Sequence, residues 1–154
     1  MLPPRPDTEI VRERIGEYAD PVASLDERNA IYKDLIGFVP PRIEARLAVT
    51  GALNPKLLDL QEQIRAHAMY PKSFDVKTAQ IILFSILLMD LNDAAPLHCI
   101  AARRAGATWE ELQDAIGLVF LFRGLSAANR GAEILANVAK REAEAEAKAK
   151  AEQK

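Results

Sequence analysis

The sequence predicts an all-α fold, and three observations carry that prediction. No stretch alternates polar and apolar residues with the period of two that a half-buried strand requires. The helix-start pattern Ser/Thr-x-x-Glu occurs twice, from Ser24 to Glu27 and from Thr108 to Glu111. The run Ile81 to Met89 holds a single polar residue, Ser85, so a helix there is apolar on every side and must be surrounded by other protein or by lipid. Crossing a bilayer takes roughly 18 or more apolar residues, and this run is shorter. It reads as the central buried helix of a soluble domain, with no membrane partner.

Taken in order, residues 1–6 hold three prolines and no pattern, which predicts a flexible arm. Asp7 is placed to cap a first helix carrying Ile10, Val11 and Ile15 toward Tyr18. The capping box at Ser24 starts a second helix, and Gly37 supplies its left-handed stop. Pro41 suits the first turn of a third helix running to Leu53. Asn54-Pro55 repeats that signal for a fourth, Lys56 to Ala68, with Leu57, Leu58, Leu60 and Ile64 as its expected buried stripe. Pro71 ends it. Asp75 caps the central helix, which stops near Leu91, and Pro96 opens the helix that carries His98. Gly106 closes that one, Thr108 caps the next, and Gly124 stops it. A last helix from Ser126 runs into a tail rich in Ala, Glu and Lys, with no apolar face after Val138 and so expected to be solvated and frayed. The predicted organisation is a flexible arm at 1–6, one all-α domain at 7–139 and a charged, helical or frayed tail at 140–154.

Composition excludes several classes of function. A chain of 154 residues that is 49% hydrophobic can build one real core. Its formal net charge of −2 gives no basic footprint for nucleic acid. One cysteine forbids an intrachain disulfide, and the opening MLPPRPDTEI has no apolar core of a signal peptide, so the expected location is cytoplasmic. No Gly-rich phosphate loop or nucleophile elbow occurs, and the Asp90–Asp93 cluster reads as helix-end capping, so neither a cofactor nor a metal is expected.

The chemistry-bearing candidates are few. His98 falls near the start of its helix, where the helix dipole and unpaired N–H groups favour anions and a neutral imidazole. Ala101, Ala102 and Ala105 follow on its face, small enough for another helix to pack closely. The competing reading is a structural histidine, and His67, near a helix end, reads as structural. Cys99 points about 100° away from His98 on the helix and reads as packed and inert. Arg123, at the end of an apolar helix, either binds a carboxylate through paired hydrogen bonds or satisfies helix-end carbonyls. Arg103, Arg104 and Arg130 read as surface or subunit-interface charges.

The segment HCIAARRAGATWEELQDAIGLVFLFRGLSAANRGA resembles the carboxymuconolactone decarboxylase family, which includes the alkylhydroperoxidase D-like proteins. The resemblance lies in the order and spacing of His98, Ala101–Ala102, Gly106, Thr108, Glu111, and Phe122 with Gly124. It is strong over about a third of the chain and loose from Pro41 to Ala139. It implies an alkylhydroperoxidase D-like helical bundle assembled as a homotrimer or a homohexamer. It further implies a cofactor-free lyase, like 4-carboxymuconolactone decarboxylase, acting on a small carboxylated lactone or related organic acid in aromatic-compound catabolism. His98, as proton or hydrogen-bond donor, and Gln80, as its polar orienter, would then be the catalytic residues and Arg123 substrate-binding. The chain departs from the family pattern twice. The peroxidase branch's two cysteines fall at Leu91 and Ala94, so dithiol peroxide reduction of that type is not expected. The family glutamate of the central helix falls at Gln80 if the following loop is shifted by one residue, and at Ala79 otherwise; Gln80 can orient His98 but cannot act as a base. The alternatives are a non-catalytic oligomeric protein that binds small acids and a hydroperoxidase without the CxxC motif.

Overall fold

The computed structural model describes residues 3–153, and among them eight α-helices and no strand. The chain falls into two compact units, residues 1–73 and 74–154.

The first unit holds α1 (Thr8–Arg14), α2 (Leu25–Ile36), α3 (Pro41–Leu53) and α4 (Pro55–Met69). Each starts on the expected signal. Asp7 accepts from the N–H groups of Glu9 and Ile10, the Ser24–Glu27 capping box is complete, and Asn54 caps Leu57. Of the arm expected at 1–6, residues 1 and 2 lie outside the described residues, and Arg5 reaches Glu44 at 2.7 Å.

The stripe expected on α4 is not the one it buries. Leu58 is buried, but Leu57, Leu60 and Ile64 are exposed. The inward face carries Asp59 and Glu62 instead. Arg28, itself buried, bonds Asp20 at 2.7 Å and Asp59 at 3.2 Å. Tyr32 donates to Glu62 at 2.7 Å, Arg46 reaches the same carboxylate, and the Arg65 guanidinium lies 4.1 Å from the Tyr32 ring centroid. Buried charges need partners more than leucines need cover. This network fixes which way α4 faces, and the apolar residues turn outward as a result.

The second unit holds α5 (Val76–Met89), α6 (Ala95–Arg104), α7 (Trp109–Arg123) and α8 (Leu125–Glu152). The central helix α5 packs against α6, α7 and α8. Phe84, Leu88, Cys99, Leu112, Ile116 and Ile134 form the middle of the core. An added Cβ at Gly131 would come within 2.7 Å of Ile116, so a glycine there lets α7 and α8 approach closely. α5 is not covered all round, however: Ile82 and Ile86 remain exposed. The helix ends follow the sequence. Leu91 and Asn92 donate back to Leu88 and Leu87 in the two-bond pattern that ends α5, with Leu91 at φ +51°, a position usually held by glycine. The tail stays helical to Glu152 and is almost wholly exposed. Among the described residues, no helix is long and apolar enough to cross a membrane.

Candidate functional site

Two contacts align α5 with α7. The Lys77 ammonium lies 2.6 Å from Glu111 at the N-terminal ends, and Arg123 Nε donates to the Met89 carbonyl at 3.0 Å at the C-terminal ends. Both pairs are 34 residues apart, so the helices run parallel and in register. The hydrogen bond from Lys77 holds Glu111 below the ordinary carboxylate range while Glu111 raises the Lys77 pKa. Glu111 is also the closing member of the Thr108 capping box, so one side chain starts α7 and sets its level on α5.

One turn along α5 from Lys77 stands Gln80, fully buried, and its Oε1 lies 2.8 Å from His98 Nδ1. With the amide oxygen facing the ring, Nδ1–H donates to Gln80 Oε1. His98 is half-buried in the fourth position of α6. Behind it Ala101 and Ala102 are buried, as the small-residue face requires. The register that places Gln80, rather than Ala79, opposite the histidine is therefore the one adopted.

Arg123 does not join this pair within one chain. Its Nε is engaged at Met89, nine residues along α5 from Gln80, which at 1.5 Å per residue is about 13 Å along the helix axis. It satisfies a helix-end carbonyl, though that of α5 rather than of its own helix. Cys99 is fully buried, and burial pushes its thiol up to about 12. A thiol so far from its thiolate is a poor nucleophile. His67 is exposed and lines a surface hollow of about 590 Å³ with Ala66, Tyr70 and Lys72, in the first unit. Arg103, read from sequence as a surface or interface charge, is instead an internal clamp. It bonds both oxygens of Glu142 at 3.0 Å and stacks 3.9 Å from the Trp109 ring centroid. Among the described residues, no group of three His, Cys, Asp or Glu side chains stands together at metal-holding distance.

No known family profile matches the chain, and no curated protein and no solved structure is significantly similar to it.

The buried Asp20–Arg28–Asp59 and Tyr32–Glu62–Arg46 contacts are the polar feature that sequence reasoning missed. A signal for it existed, since Arg28 and Tyr32 are four apart on α2 while Asp59 and Glu62 are three apart on α4, each pair sharing a helix face.

Proposed function

We propose that the protein is a cofactor-free lyase that removes CO2 from a small carboxylated lactone or related organic acid, and that it works as a homo-oligomer, a trimer or a hexamer built from trimers. The observation that carries this reading is the Gln80–His98 pair, a histidine oriented by a buried amide in the segment that resembles the carboxymuconolactone decarboxylases. In the reaction the bond to the substrate carboxylate breaks and its electron pair spreads onto a conjugated carbonyl. The resulting enolate then takes a proton at carbon. His98 in its imidazolium form supplies that proton from Nε2 and is reprotonated there from solvent, while Gln80 accepts from Nδ1–H throughout and so keeps Nε2 aimed at the substrate. A buried amide can hold the ring without drawing a proton from it, which suits a donor that must give its proton up. Arg123 can serve as an anchor for a substrate carboxylate only through donors other than its Nε.

A non-catalytic small-acid-binding protein is the second reading. It is favoured by the lack of any carboxylate at Gln80 and by the engagement of Arg123 with Met89. The two separate in one experiment. A panel of carboxylated γ-lactones is incubated with the protein while CO2 release and heat of binding are followed. Stoichiometric CO2 release supports the lyase; saturable binding with no CO2 supports the binding protein and removes the lyase.

A further inference from the structure

Leu118, Leu121, Phe122 and Leu125 are 67%, 68%, 85% and 70% exposed, a density of bare apolar side chains unlike the rest of the second unit. Leu118, Leu121 and Phe122 recur at helical spacing on α7, and Leu125 opens α8 directly after the Gly124 break. No charged residue stands between Asp114 and Arg123. At roughly 150–200 Å² for a fully exposed large apolar side chain, these four present about 500 Å². Paired with an identical face, that is about 1,000 Å², the level a specific interface reaches before flanking polar atoms are counted.

Gly117 adds an independent observation. It lies inside α7, where glycine weakens a helix relative to alanine, and it is exposed. An added Cβ there would meet nothing within 4 Å, so packing inside the chain does not call for a glycine, in contrast to Gly131. Leu121 lies four residues on, next to it on the same helix face. A stripe with a gap and a knob one turn apart is self-complementary: when two copies of α7 cross antiparallel at the level of Val119, each Leu121 meets the other copy's Gly117.

We propose that this face of α7 is a docking surface for a second copy of the chain, with α7 packing on α7 about a two-fold axis and Gly117 as the point of closest approach. The inference rests on the self-association proposed above and is independent of the lyase activity. A contact in which the same patch serves both partners needs a two-fold axis, so it selects the hexamer over the bare trimer.

The test is sedimentation equilibrium and native mass spectrometry of the full chain at micromolar concentration, with far-UV circular dichroism as a check of folding. The expected result is an even-numbered assembly. Leu121→Glu and Phe122→Lys, both at exposed positions, raise its dissociation constant at least about thirtyfold with the helical signal retained. Gly117→Leu fills the gap and weakens assembly in the same direction. A monomeric or purely trimeric wild type overturns the proposal, as does wild-type assembly of the two charged variants. Wild-type assembly of Gly117→Leu overturns the close approach. Should Leu121→Glu fail to fold, Phe122→Lys decides, since that side chain is the more exposed of the two. Turnover is scored separately, so loss of activity without loss of assembly bears on the lyase reading alone.

Discussion

Replacing Arg28 by methionine tests the network that orients α4. The Arg28 side chain is 8% exposed and lies against two carboxylates, Asp20 at 0% and Asp59 at 6%. Removing one partner of a buried ion pair costs about 3–5 kcal/mol, because the charge left behind has lost its compensation. Here the lower end applies. Asp20 keeps the Val22 N–H at 2.9 Å and the Tyr18 hydroxyl at 3.2 Å, and Asp59 keeps the Gln63 amide at 2.7 Å. A loss of about 3 kcal/mol lowers the melting temperature of a unit this size by roughly 12–20 °C. Urea titrations followed by far-UV circular dichroism measure it. Fluorescence of Trp109, the only tryptophan, reports α7, so the two signals together show which unit has lost stability. The triple change Arg28→Met, Asp20→Asn, Asp59→Asn should recover most of the loss. A destabilisation below about 1 kcal/mol for Arg28→Met would mean that the two carboxylates are solvated, and the account of α4 would fail with it. The pH arm has a definite sign. Burial pushes the Asp20 carboxyl up, but the Val22 N–H and the Arg28 guanidinium outweigh it and hold the group below its ordinary 3.8. Its contribution is therefore complete above pH 3.8 and is lost as pH falls through the lower folded value. Arg28→Met should flatten that acid limb.

Four further outcomes are expected. Gly131→Ala presses a methyl group into Ile116 and should cost about 1–3 kcal/mol by urea titration, whereas Gly117→Ala leaves the stability of the isolated chain unchanged or raised. Arg103→Ala removes both the Glu142 bridge and the Trp109 stack, and amide exchange in residues 139–152 should accelerate at least tenfold; unchanged exchange would show that the clamp does not hold the tail. Cys99 should resist alkylation by iodoacetamide at pH 8 in the native state and react freely in urea, and rapid native labelling would reopen the hydroperoxidase reading. Gln80→Glu places a carboxylate against the His98 ring and should move the alkaline limb of kcat upward by roughly one pH unit or more. An unmoved limb would mean that His98 does not titrate in the reaction.

Much of the fold was legible because helix ends are written locally. Asp7, Ser24, Asn54, Asp75 and Thr108 all cap the helices that their spacing announces, and Gly37, Gly106 and Gly124 stand at positive φ where helices stop. The pairing of Gln80 with His98 depended on register, which the sequence left open between Gln80 and Ala79 until the α5–α6 turn had a geometry. What local pattern could not show was direction. Leu57, Leu60 and Ile64 make a convincing stripe, but partners for Asp59 and Glu62 come from α2 and α3, about 15 to 30 residues away in sequence, and those partners decide which face of α4 turns inward. Arg123 failed as a neighbour of His98 for a related reason. A charged residue at a helix end has several carbonyls within reach, and sequence alone does not say which helix supplies them.

The claim that His98 is the reacting group is tested most directly by CO2 release from a carboxylated lactone that the wild-type protein turns over, compared between wild type and His98→Gln at matched assembly. Loss of a positioned general acid predicts a fall in kcat of about 10²–10⁴, with KM and the oligomer little changed. Wild-type kcat in a correctly assembled His98→Gln protein would contradict the account and leave the histidine with a packing role only.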